Sequence, residues 1–226
     1  MAALLAALPG ARALHAQSLT GTTGLVTIPT AVMPPDGTLT LSLNVLDRGY
    51  HNQPFPDRRA LVQSASLVFL PFVEVGLRLT RALGEPRQAL GDRMVSVRVR
   101  LLDERAHRPA VVAGGHDLVG TRRYHVLYLV ASKQVESGTP LGGVGVHLGY
   151  GGDWLSLARG ERKQFDGVFG GFAAAPRPWL SLLAEYDAER VNAGIRLVLL
   201  RHIALLVAAQ QPDGLSAGIS YTVRLD

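Results

Sequence analysis

Cysteine is absent from this chain of 226 residues. That excludes a disulfide, a thiolate metal site, a cysteine nucleophile and a lipid carried on an N-terminal cysteine. Lysine is scarce as well, occurring only at Lys133 and Lys163. No window comes near the ~18 uninterrupted apolar residues of a transmembrane helix. Charged residues amount to 18% against 47% hydrophobic, a balance that rules out a disordered chain. Aromatic residues are few, at 6%. Catalytic signatures are missing too. Gly143-Val-Gly145 and Gly149 lack the spacing of a dinucleotide fingerprint, and no helical pattern follows them. There is no P-loop and no Gly-x-Ser-x-Gly elbow. The seven histidines are scattered, and none forms a zinc-binding pair at helical spacing. The sequence therefore assigns no catalytic residue, no metal ligand and no cofactor.

What is present is alternation. From Thr38 onwards the chain breaks into short stretches of roughly 8 to 11 residues, separated by turn residues. The last one is plain: Leu215, Ala217, Ile219, Tyr221, Val223 and Leu225 share one face, and Ser216, Gly218, Ser220, Thr222 and Arg224 share the other. A period of two means a strand. About a dozen such strands are expected, at 38–46, 60–70, 72–81, 93–102, 109–117, 123–132, 141–150, 165–174, 178–187, 191–199, 202–209 and 215–225, with no convincing helix between them. Many of the 25 glycines fall inside these stretches, as in Leu141-Gly-Gly-Val-Gly-Val-His-Leu-Gly-Tyr150. Glycine weakens a strand unless backbone must approach closely, as on the inner face of a narrow barrel.

The connections alternate between tight and long. Leu70-Pro71 and Leu200-Arg-His202 are tight, while Asp47 to Arg59, Ala82 to Asp92 and Gly151 to Gln164 are long and polar. Short turns at one end and long loops at the other suit a barrel in an outer membrane. Alternation alone also fits a soluble sandwich, and the pattern does not say which face points outwards. Three features favour the membrane reading. The apolar face recurs on strand after strand. The polar face is rich in Gly, Ser and Thr with a few arginines, where a soluble surface carries more Lys and Glu. The start resembles a secretory signal, with the apolar Met1-Ala-Ala-Leu-Leu-Ala-Ala-Leu8 and a small-residue site at Leu14-His-Ala16, although the usual basic n-region is missing. The expected layout is a signal peptide over 1–16, a periplasmic segment or plug over 17–37, and an antiparallel up-and-down all-β transmembrane barrel of about twelve strands over 38–226.

The segment Gly21-Thr-Thr-Gly-Leu-Val-Thr-Ile-Pro-Thr-Ala-Val-Met-Pro-Pro-Asp-Gly-Thr-Leu39 resembles the opening signature of the YjbH family of exopolysaccharide-associated outer-membrane proteins. Phe69-Leu-Pro-Phe-Val-Glu-Val75, Leu129-Val-Ala-Ser-Lys133, Ala184-Glu-Tyr-Asp187 and Val191-Asn-Ala-Gly-Ile-Arg196 are similar to later parts of it. The resemblance implies an outer-membrane barrel that helps to export or assemble a polysaccharide. Some members are lipoproteins and many are longer. This chain has no cysteine to acylate, and it holds one barrel unit.

The inward faces are expected to carry Glu74, Arg78, Arg98, Arg100, Arg123, His125, His147, Glu185, Arg196 and Arg224. Two readings of this set stand side by side. An arginine-rich lumen attracts an acidic glycan. Alternatively, Glu74 and Glu185 pair with arginines and fill a closed barrel, helped by the 17–37 segment. Asp103-Glu104 is expected to be a solvated turn. A barrel lipase needs a Ser-His pair facing lipid, and His125 and His147 are assigned inwards. Three function classes follow: a non-enzymatic barrel serving exopolysaccharide export or assembly, a porin-like diffusion channel, and an outer-membrane lipid hydrolase. Expected partners are outer-membrane lipid and lipopolysaccharide, the exopolysaccharide and other export proteins. The net charge of +5 does not imply nucleic acid, because the arginines are spread over many strands without aromatic company.

Overall fold

The computed structural model describes residues 17–48, 57–84, 91–136, 140–155, 157, 165–210 and 214–225. The expected signal segment and its cleavage site up to Ala16 lie outside the described residues. Twelve strands follow one another along the chain: β1 (Thr38–Leu46), β2 (Ala60–Val68), β3 (Val73–Ala82), β4 (Asp92–Leu102), β5 (Ala110–Gly120), β6 (Val126–Glu136), β7 (Gly143–Gly152), β8 (Gly167–Arg177), β9 (Leu180–Tyr186), β10 (Val191–Leu199), β11 (Ile203–Gln210) and β12 (Gly214–Arg224). Each pairs antiparallel with its neighbours in sequence, and β1 closes on β12. The fold is a closed up-and-down barrel, and a closed sheet leaves no edge unpaired.

The faces are inverted relative to a water-soluble protein. On β12, Ser216 and Ser220 are buried while Leu215, Ile219 and Tyr221 are exposed. On β3, Leu77 and Leu79 are exposed, and Glu74 and Arg78 are buried. The same holds for Ile195 and Arg196 on β10. Outward leucine, isoleucine and valine thus form a continuous apolar belt, far beyond the few hundred Å2 that a soluble monomer tolerates. Such a belt is at home against hydrocarbon, and a closed sheet satisfies every backbone group without water. Every expected strand has its counterpart. The even strand number brings the N-terminal segment and the end of β12 to the same rim, where Leu225 N donates to Gly37 O at 2.8 Å.

One strand departs from expectation in the direction of its faces. β6 starts at Val126, three residues later than its pattern suggests. The delay has a physical cause in the β5–β6 connection. Gly120 and Arg122 hold positive φ (136° and 58°), and the Asp117 carboxylate accepts Tyr124 N at 3.1 Å. The chain therefore stays in a turn until His125. Because a one-residue shift flips every side chain, Tyr128 and Val130 point inwards and Leu129 points outwards. Arg123 and His125 precede the strand and do not lie on its inward face. His125 is instead buried at the loop end, with Nδ1 2.8 Å from Asp153 Oδ1.

Candidate functional site

The lumen is occupied by the chain itself. Residues 17–31 are buried, and they fold as a compact double turn. Ser18 N donates to Thr22 O and Leu19 N to Val26 O, both at 2.8 Å, and Leu25 N donates to Ile28 O at 3.0 Å. The turn at Gly21 needs glycine twice over. Its φ is 88°, and a Cβ there would lie 2.6 Å from Ser64 Cβ on the barrel wall. Leu19, Leu25, Val26 and Ile28 join a core with Val62, Val112, Tyr128, Phe169 and Leu206 from the inward face. Gly194 on β10 makes room for this packing, since a Cβ there would stand 3.0 Å from Val26 Cγ2.

A segment with no strand partner must satisfy its backbone by other means. The barrel wall supplies them as side chains. Glu185 on β9 accepts Val26 N and Thr27 N at 2.8 Å and Ile28 N at 3.3 Å, and it takes the Thr27 hydroxyl as well. Next to it, Arg196 on β10 donates to Gly24 O and Leu25 O, both at 2.8 Å. The opposite wall repeats the device. Glu74 on β3 accepts Thr23 N at 3.3 Å and Thr23 Oγ1 at 3.1 Å. Arg98 on β4 binds Glu74 at 2.6 Å, donates to Val32 O at 3.2 Å, and reaches Thr30 O. Arg78 donates to Thr20 O at 3.3 Å, with its guanidinium carbon 5.6 Å from the centre of the Tyr124 ring. Charge-assisted bonds of this kind are about twice as strong as neutral ones.

Six of the ten expected lumen residues therefore surround the segment: Glu74, Arg78, Arg98, His147, Glu185 and Arg196. His147 acts through Ser132. Its Nδ1 lies 2.7 Å from Ser132 Oγ, which accepts Ala31 N at 2.7 Å. Arg100 sits at the rim, bonded to the Pro71 carbonyl and 3.3 Å from Asp103. Arg224 is exposed at the same rim. Arg123 and His125 lie in the β5–β6 connection, as described. The expected pairing of glutamates with arginines holds for Glu74 but not for Glu185, whose partners are the backbone amides and hydroxyl of 26–28, and Asn192 at 3.0 Å. Glu104 is not simply solvated. It accepts Lys133 Nζ at 2.8 Å and Gln134 N at 2.9 Å. The Ser132–His147 pair faces the lumen under Ala31, not lipid. Asn44, Ser66 and Ser132 also hold the segment and were not singled out. Asn44 Nδ2 donates to Leu19 O at 3.1 Å, and Gln17 Nε2 donates to Ser66 Oγ at 2.5 Å. For Asn44 and Ser66 the signal was present in the sequence, since each sits on the polar face of an alternating strand; Ser132 shares its inward face with Val126, Tyr128 and Val130 and carried no such signal.

The family model described as "Exopolysaccharide biosynthesis protein YbjH" matches residues 16–223, a span that takes in the inserted segment and all but the last residue of the twelve strands. This chain belongs to the YjbH family. No curated protein matches it. Among solved structures it is similar to the COG4313 outer membrane channel from Pseudomonas putida F1, at 10% identity over 86% of this chain and 97% of that one, with a TM-score of 0.39. It is also similar to a barrel from the de novo design of transmembrane beta-barrels, at 12% identity over 85% of this chain and 100% of that one, with a TM-score of 0.29.

Proposed function

We propose that this protein is a non-enzymatic barrel of the bacterial outer membrane that supports export or assembly of an exopolysaccharide as a plugged scaffold. The plugged lumen carries the reading. The charged residues that could line a conduit are committed to the chain's own N-terminal segment, so an acidic polymer meets closed walls instead of free guanidinium groups. The apolar belt fits a bilayer, and the short turns beside the termini fit the periplasmic side. The exopolysaccharide role comes from the family.

Two measurements test this. Deleting the gene is expected to lower secreted polysaccharide while polymer synthesis continues; unchanged secretion rejects the role. The purified protein in a planar bilayer is expected to show no steady ion current. A steady open pore would instead favour a porin-like diffusion channel, which requires residues 17–33 to leave the lumen.

A further inference from the structure

Charge is sparse on the outward belt. The charged side chains at outward positions are Arg81 on β3, Arg93 on β4, Lys133 on β6 and, past the irregularity in β8, Arg177 opposite Leu180 at the rim beside the termini. Lys133 belongs to the rim beside the termini, where Glu104 neutralises it at 2.8 Å. Arg81 and Arg93 lie together at the opposite rim. Leu79 pairs with Arg93 and Leu61 with Arg81, so the two arginines are diagonal neighbours on one face. Arg59, just before β2, continues the diagonal: its carbonyl accepts Leu83 N at 2.7 Å, one step beyond Arg81. All three are exposed, as is Gln63, which stands in the same row as Leu79 and Arg93.

Like charges this close on one sheet face repel unless something negative lies between them. Among the described residues the ion pair of these arginines is that of Arg59 with Asp47 at 3.4 Å, and the Arg59 side chain remains 60% exposed. Asp92, the neighbour of Arg93, points into the barrel and binds Thr121. Gly91, at φ 59°, lies beside Arg81: a Cβ there would stand 2.3 Å from Thr80 O and 3.2 Å from Arg81 Cβ, so the residue next to the arginine carries no side chain. Across the barrel at this rim, Tyr150 on β7 stacks on Trp154 just beyond the strand, with ring centres 6.3 Å apart.

We propose that Arg59, Arg81 and Arg93 form a binding site for the phosphorylated headgroup of a glycolipid in the outer leaflet. The site rests on the outer-membrane reading above. Guanidinium groups bind phosphate through two parallel bonds, and at this height the phosphate stands at the edge of the hydrocarbon. The diagonal presents successive guanidinium groups at successive depths. Acyl chains would lie over the outward Leu77 and Val95 below.

The test uses the full chain folded into phosphatidylcholine vesicles, with purified bisphosphorylated lipid A as the probe. Native mass spectrometry counts the lipid retained, and insertion is scored first by the gel shift of the unheated barrel. A wild-type chain that does not insert overturns the membrane reading and the site with it. Wild-type protein is expected to retain lipid A and to discriminate against its dephosphorylated form. Arg81→Gln with Arg93→Gln is expected to weaken retention by about tenfold or more, since each arginine acts on an anionic surface through charge. Lys133→Gln is expected to leave retention unchanged. Equal retention by the double variant, or equal retention of dephosphorylated lipid, overturns the proposal. So does loss of binding to an acidic polysaccharide such as alginate in the double variant with lipid A binding intact, which would assign the arginines to the polymer. If the double variant fails to insert, Arg81→Lys with Arg93→Lys keeps the charge and decides. Retention as strong as wild type in that variant rejects the two-bond phosphate geometry, and weakened retention supports it.

Discussion

Replacing Glu185 with alanine is expected to free the N-terminal segment from the lumen. The carboxylate accepts three backbone amides and one hydroxyl from residues 26–28. These donors are buried and have no strand to turn to. A buried polar group that loses its partner costs about 1–3 kcal/mol, so the variant loses on the order of 5 kcal/mol of docking energy. That is enough to change a closed lumen into one open for much of the time. The absence of cysteine makes the measurement clean. Thr22, fully enclosed in the segment, can be replaced by cysteine and its reaction with a water-soluble maleimide followed. Labelling is expected to be slow in the Thr22→Cys background and fast once Glu185→Ala is added, with ion current appearing in planar bilayers. Equal labelling rates would mean that apolar packing of Leu19, Val26 and Ile28 holds the segment by itself.

The second large effect concerns the belt. Ile195 and Arg196 are neighbours with opposite roles: Ile195 is outward and exposed, and Arg196 is inward and bonded to Gly24 and Leu25 carbonyls. Placing arginine at 195 puts a charge near the middle of β10 on the apolar face. Such a substitution costs about 2–4 kcal/mol near the bilayer midplane. Ile195→Arg is therefore expected to reduce the folded, heat-modifiable barrel recovered from membranes severalfold. Arg196→Ala is expected to assemble at near wild-type levels, because its loss loosens the inserted segment and leaves the belt intact. Equal assembly of the two variants would mean that the faces are assigned the wrong way round.

Much of this architecture was legible because a period of two is a local signal. β12 can be read residue by residue, and so can β3 and β10. The direction of the faces was legible through composition: serine, threonine and glycine on the polar side, with hardly a lysine, mark a face that meets protein rather than water. β6 was misplaced because its start depends on the turn from Gly120 to Tyr124, and that turn depends on a carboxylate bond from Asp117. The candidate site was half legible. Inward glutamate and arginine could be found from alternation. Their partners could not, because the bonds from Glu185 to Val26 and Thr27 join residues 159 and 158 positions apart, and no local pattern records such a match.

The same separation sets an order of assembly. Residues 17–31 are synthesised first, yet Glu185 and Arg196, which grip them, belong to β9 and β10 near the end of the chain. Until those strands are in place, half of the segment's carbonyl and amide partners do not exist. Contacts between distant parts of a chain form late, because the loop between them must close first. Sealing of the lumen therefore waits for the sheet to be nearly complete. An unfinished barrel is an unsealed one, and a protease or chaperone that recognises the loose N-terminal segment has a direct reading of whether β9 and β10 have joined the wall.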